Sequence, residues 1–226
     1  MKFKNRLLIA TRNKGKLQEI TSFLSDLELE LVSLNDLNIK EDVEETEKTY
    51  KENSKKKALF FARKSDLPTI ADDGGIEIDV LGGKPGILSR RYFAPRSGVS
   101  LHESKDATDK EIIEAMKKLI KTLPENKRSG KFKTVVTFAL PNGKEAKLPK
   151  TFSQTGVVHG VLKKPLIKLM QGYPYRSFFY LPKIKKYYHE DQLTREEEKL
   201  YNHRYKAISK LKPIIRNVIL SEAKNL

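Results

Sequence analysis

The stretch that most constrains the fold is Arg6-Leu7-Leu8-Ile9-Ala10-Thr11-Arg12-Asn13-Lys14-Gly15-Lys16-Leu17-Gln18-Glu19-Ile20. Its continuous apolar run, Leu7–Ala10, reads as a buried strand. The run ends in a short polar loop, after which Leu17, Ile20, Phe23 and Leu24 recur at helical spacing. A strand, a tight loop and a helix start in immediate succession present backbone N–H groups, a flexible Gly and an ammonium to phosphate oxygens. Helix capping by Thr11 and Asn13, with a solvated Lys16, is the plainer alternative.

A second stretch, Ala71-Asp72-Asp73-Gly74-Gly75, places paired carboxylates at what reads as another strand end, although Asp and Gly also favour plain turns. Together the two stretches suggest metal-assisted chemistry on a nucleotide. Composition narrows the class. No cysteine is present, which excludes disulfides, zinc-thiolate sites and thiol nucleophiles. No apolar run approaches a membrane span and no signal-peptide core opens the chain, so a soluble, cytoplasmic protein is expected. The 45 Lys+Arg against 29 Asp+Glu give a net charge of +16, which attracts polyanions. Most of that excess is Lys scattered along helices and loops, the pattern of a solvated surface.

The remaining sequence alternates strand and helix signals. Leu29–Leu34 reads as a strand, Asn35–Lys48 as an acidic connection and Tyr50–Lys64 as a helix. Pro68–Ala71 leads into the carboxylates, and Ile76, Ile78 and Val80 alternate as a further strand. Thr108 and Glu111 form a capping box for a helix ending at Leu123; Thr194 and Glu197 repeat that signal for a helix over Thr194–Leu211. Phe132–Leu140 and Lys144–Phe152 flank Pro141-Asn142-Gly143 as a hairpin. Pro165–Met170 reads as a short helix and Gly172–Pro182 as an irregular aromatic segment. Pro213 is expected to interrupt or end the last helix. The expected organisation is α/β: a single two-lobed domain over 1–213 and a tail, 214–226, without an assigned role.

These motifs resemble the inosine triphosphate pyrophosphatase family, enzymes that hydrolyse non-standard purine nucleoside triphosphates. Thr11–Lys16 with Glu19 is similar to the family's T-x-N-x-x-K…E, and Glu44-Glu45-Thr46 with Glu52-Asn53 to E-E-T…E-N. Ala71–Gly75 resembles A-D-D-S-G, and Leu81–Gly86 with Ser89, Arg91 and Tyr92 resembles L-G-G-x-P-G-x-x-S-x-R-Y. Gly172-Tyr173 resembles G-Y-D-P, and Asn202-His203-Arg204 resembles S-H-R. The resemblance implies an elongated mixed β-sheet flanked by helices, two lobes with a central cleft, a homodimer, Mg2+ dependence, and release of monophosphate and pyrophosphate.

Residue by residue, the resemblance puts Thr11, Arg12, Asn13, Lys14, Gly15 and Lys16 on the substrate, with Lys16 on the phosphates. It makes Asp73 both metal ligand and proton acceptor, and Glu44 the second metal ligand, with Glu45 adjacent. Asp72 would orient a water. Gly74, Gly172, Tyr173, His203 and Arg204 belong to the substrate site, as does Lys186, with Lys185 beside it. Three departures touch base reading: Gly74 replaces Ser, Gln171 and Pro174 replace Phe and Asp, and Asn202 replaces Ser. Tyr173 or Tyr175 is expected to supply the stacking ring. Besides a degenerate, inactive relative, favoured only by these base-loop changes, two alternatives stay open. One is a nucleotide pyrophosphatase of different base preference, like the Maf-type enzymes. The other is a basic nucleic-acid-binding module, against which no RNA-binding signature is visible.

Overall fold

The structure is a computed structural model that describes residues 5–94, 105–141, 150–165, 170 and 172–224. Seven strands form one sheet: β1 (Arg6–Ile9), β2 (Glu30–Ser33), β3 (Thr69–Ile78), β4 (Ser129–Ala139), β5 (Thr151–Leu162), β6 (Phe179–Leu181) and β7 (Lys186–Tyr187). Their order is β2-β1-β3-β4-β5-β6-β7. β1 runs parallel to β2 and β3, whereas β6 is antiparallel to both β5 and β7, so the sheet is mixed. The helices are α1 (Lys14–Leu24), α2 (Tyr50–Ser65), α3 (Asp109–Thr122), α4 (Arg195–Tyr201) and α5 (His203–Lys224).

The chain divides into two compact units, Met1–Asp73 with Thr134–Gly156 and Arg204–Leu226, and Gly74–Lys133 with Val157–His203. In the first, side chains of β1 alternate between two cores, as a strand's period of two requires. Leu7 and Ile9 pack with Ile20, Leu24, Ala207 and Leu211 of α1 and α5. Leu8 and Ala10 pack with Ala58, Phe61 and Ala62 of α2. β3 repeats the division, with Ile70 in the α1–α5 core and Ala71 in the α2 core. The second unit has its own core around Ile76, Ile112, Met116, Phe132 and Phe179.

Both expected capping boxes form, at Thr108 with Glu111 and at Thr194 with Glu197. Four sequence expectations are corrected. Asp72-Asp73-Gly74-Gly75 is neither a turn nor a strand end; it is the middle of β3. Val80 leaves the strand for a short 3-10 turn, Asp79–Leu81, and is 42% exposed. The irregular aromatic segment contains a 3-10 turn, Arg176–Phe178, and then β6. The last helix breaks at Asn202, whose backbone is extended, and then continues through Pro213. A proline inside a helix costs about 3 kcal/mol. Beyond it Ile215 and Ile219 are buried in the α1–α5 core, each contributing roughly 1.5–3 kcal/mol. Burial on the far side of Pro213 thus offsets the break. β5 starts at Thr151, and the expected strand residues 144–149 lie outside the described residues. The Asn142-Gly143 turn, most of the Pro165–Met170 helix and Gln171 lie outside the described residues.

Candidate active site

The loop after β1 is shaped by its own polar side chains. Thr11 Oγ1 accepts from the Asn13 N–H at 3.2 Å, and Asn13 Oδ1 accepts from the Lys16 N–H at 3.0 Å, capping α1. Asn13 therefore does the capping work that its residue type allows, and Lys14 and Gly15 open the helix. Arg12 turns toward the acidic connection and donates to the Ile39 and Glu41 carbonyls at 3.1 and 2.7 Å. Lys16 aims back at β3: its Nζ is 3.1 Å from Asp72 Oδ2.

β3 delivers its two carboxylates to the two layers already set by Ile70 and Ala71. Asp72 follows Ile70 by two residues and meets α1 and α5. It is 1% exposed and receives Arg204 Nε and Nη2 at 3.1 and 3.0 Å besides Lys16. Arg204 also donates to Glu19. Burial alone would raise the Asp72 pKa, but Lys16, Arg204 and Lys57 outweigh it and hold the carboxyl well below its usual range. Its Oδ1 is buried with no hydrogen-bond partner among the described residues.

Asp73 follows Ala71 and meets α2. It is 4% exposed, and its Oδ2 accepts from Asn53 Nδ2 at 3.0 Å. Thr134 Oγ1, buried on β4, donates to the Asp73 carbonyl at 2.9 Å. Burial, with the Glu45 carboxylate nearby, pushes the Asp73 pKa up to about 6 despite Lys57 and Lys16. Lys57 lies between these groups. Its ammonium donates to Glu45 and, at 2.5 Å, to the Asp72 carbonyl. Burial lowers the Lys57 pKa, but the charges of Glu45, Asp73 and Asp72 prevail and raise it.

The ammoniums of Lys16 and Lys57 thus meet the carboxylates of Asp72, Asp73 and Glu45 within the first unit. Of the two adjacent glutamates, Glu45 stands near Asp73, while Glu44 is exposed. Among the described residues no three His, Cys, Asp or Glu side chains form a metal cluster. A site built from one or two carboxylates nevertheless suits Mg2+, which keeps several waters and takes further oxygens from phosphate. The unpartnered Asp72 Oδ1 and the all-oxygen donors Asp73 and Glu45 fit such an ion.

The second unit places its candidates as follows. His203 is interior, its Nδ1 2.7 Å from Tyr188 Oη, so the His203-Arg204 pair is not a surface feature. Tyr175 is a core residue that donates to the Ser89 carbonyl at 2.6 Å, and burial pushes its pKa up. Tyr173 stays half-buried, with the Arg176 guanidinium 4.0 Å from its ring centroid. The Gly172 N–H donates to Asp109 at 2.7 Å from a positive φ of 80°. Lys186 is ion-paired with Glu197 at 2.7 Å, and Lys185 is exposed.

Sequence reasoning gave no role to Lys57. It reads as the last of three consecutive surface lysines, yet it stands four residues after buried Asn53 and four before buried Phe61, on the inward face of α2. Thr134 was also missed, and nothing in the run Lys133-Thr134-Val135-Val136-Thr137 marks it.

A family model described as the Ham1 family matches residues 7–214. The dITP/XTP pyrophosphatase of Escherichia coli (strain K12) is 34% identical over 212 residues, which is 94% of this chain and 98% of that protein. The dITP/XTP pyrophosphatase of Geobacter sulfurreducens is 35% identical over 208 residues, 92% of this chain and 94% of that one. Among solved structures, a HAM1 protein from Coxiella burnetii matches with a TM-score of 0.71 and 28% identity, covering 93% of this chain and 98% of that chain.

Proposed function

The chain belongs to the Ham1 family, and from that premise we propose that it hydrolyses non-standard purine nucleoside triphosphates such as dITP, ITP and XTP to the monophosphate and pyrophosphate. One observation carries the reading. Two buried, oppositely perturbed carboxylates stand on one strand, each faced by an ammonium from a different helix. Such divergence separates an acid–base group from a permanently charged anchor.

In this mechanism Asp72 stays ionised and holds the Lys16 ammonium in place, where Lys16 grips phosphate oxygens beside the start of α1. Asp73, whose pKa is lifted toward neutrality, accepts the proton of the attacking water. Lys57 limits the repulsion between Asp73 and Glu45. These two carboxylates would hold Mg2+, which would supply charge neutralisation for the pyrophosphate leaving group. Thr11, Asn13, Lys14 and Gly15 shape the loop under the phosphates, and Arg12 fastens it to the acidic connection.

On resemblance alone, Gly74, Gly172, Tyr173, Lys186 and His203 are proposed as further substrate contacts, with Tyr173 as the stacking ring. A homodimer and a cytoplasmic location belong to the same proposal, and sedimentation tests the dimer. Among the described residues no helix is long and apolar enough to cross a membrane.

A pyrophosphate-release assay with Mg2+ across dITP, ITP, XTP, GTP, ATP and UTP tests the function. The expected result is turnover of the first three well above the rest. Preference for UTP would transfer the chain to the Maf-like alternative, and no release from any triphosphate would reject hydrolysis.

A further inference from the structure

Asn53 is 1% exposed and uses both ends of its side-chain amide. Oδ1 accepts the Glu47 N–H at 3.0 Å, and Nδ2 donates to Asp73 Oδ2 at 3.0 Å. The partners fix which end is which, since a backbone N–H needs an acceptor and an ionised carboxylate needs a donor. Its own backbone is held as well: Asn53 N donates to the Thr49 carbonyl at 3.1 Å, on the helical turn that Thr49 caps.

We propose that Asn53 is a positioning residue that ties the acidic segment 45–47 to the Asp73 carboxylate, so that Glu45 and Asp73 meet a divalent cation as a preformed pair. This rests on the reading that Asp73 and Glu45 hold the cation. Lysines of α2 supply further ties to the segment. Lys56 reaches Thr46 and Glu47 at 2.9 and 3.0 Å, and Lys57 reaches Glu45. The Lys56–Glu47 pair is about two-fifths exposed on both sides and is screened by water and salt. The Asn53 side chain is buried, and among these ties it alone ends on a carboxylate of β3. Losing it frees the Asp73 side chain and the backbone at Glu47 together.

The test uses Mn2+ as the probe, its binding to the full chain read by electron paramagnetic resonance, with exchange of the Glu47 amide followed in the metal-free protein. Asn53→Leu is expected to weaken Mn2+ binding about 10–100-fold, the usual penalty for removing a partner that orients a metal ligand. It should also expose the Glu47 amide to exchange. Metal-free binding of pyrophosphate, which depends on Lys16, should stay within about twofold of the unaltered chain. Asn53→Asp keeps the acceptor and should preserve Glu47 protection. If Asp73→Asn abolishes Mn2+ binding while Asn53→Leu leaves it intact, the role given to Asn53 is wrong and the cation reading survives. Equal Mn2+ binding by Asp73→Asn and the unaltered chain would overturn the cation reading and the Asn53 role with it. Parallel loss of Mn2+ and pyrophosphate binding in Asn53→Leu would show a general packing defect and overturn the positioning role.

Discussion

Asp72 and Asp73 are consecutive residues of β3 whose carboxyls are held in opposite electrostatic states, one far below its usual pKa and one raised to about 6. Strand geometry is the cause. Adjacent side chains leave opposite faces, so Asp72 enters the layer holding Lys16 and Arg204, while Asp73 enters the layer holding Asn53 and Glu45. One peptide unit therefore delivers an anchor and a proton acceptor to two neighbouring environments.

Replacing Asp73 with Asn should cut turnover by about 10²–10⁴-fold, the range for losing a general base, yet stabilise the metal-free protein. With a folded pKa of about 6 against 3.8 for the free group, ionisation at pH 8 opposes folding by at most about 3 kcal/mol. This group makes the unaltered chain more stable as pH falls from above 6 toward 4. The variant's advantage should accordingly be largest at pH 8, at about 2–4 °C in Tm per kcal/mol, and vanish near pH 4. Thermal scans of both proteins without metal decide this; equal Tm values at pH 8 would contradict it.

Asp72→Asn is expected to act in the opposite sense. It strips a buried carboxylate from Lys16 and Arg204 and should destabilise by about 3 kcal/mol at pH 7. Because the Asp72 pKa is depressed on folding, its contribution is complete above about pH 4 and is lost as pH falls through the lower folded value. Urea unfolding at pH 7 and pH 3 should show a large difference from the unaltered chain at the first and a smaller one at the second.

Lys57→Met removes the ammonium that counters Asp73 and Glu45 while keeping a chain of similar length. The Asp73 pKa should rise further, so the acid limb of kcat/KM moves to higher pH. A pH–rate profile checks the direction. An unmoved acid limb would mean that Lys57 does not act on the proton acceptor.

Chelation should abolish turnover and added Mg2+ should restore it. The ion should also raise Tm, because a cation at Asp73 and Glu45 relieves their repulsion and binds only the folded chain. At a hundred times its dissociation constant the gain is about 2.7 kcal/mol. A Tm unchanged by Mg2+ would count against the proposed ligands.

The sequence made some of this plain and hid the rest for physical reasons. The apolar run of β1 announced a strand covered on both faces, and Leu7, Leu8, Ile9 and Ala10 divide between two cores as that implies. The carboxylate pair and Lys16 were visible from their residue types. Asp72–Gly75 read as a strand end, with a turn as the alternative, because Asp and Gly favour turns when nothing else acts. Cations from three helices, Lys16, Lys57 and Arg204, meet these residues, and no local pattern reveals that. Lys57 was masked by two lysines before it, although its spacing from Asn53 and Phe61 marked the inward face. Arg204, which resemblance puts in the substrate site, donates to both Asp72 and Glu19, contacts that no local pattern announces.

The passage of α5 through Pro213 links the two extremes of the polypeptide. Ile215 and Ile219 back the same layer as Leu7 and Ile9, the strand that ends where Thr11 begins. A premature stop codon just after Pro213 would spare every proposed active-site side chain, and its damage would still surface at the amino-terminal end, as a wobbling floor beneath Lys16.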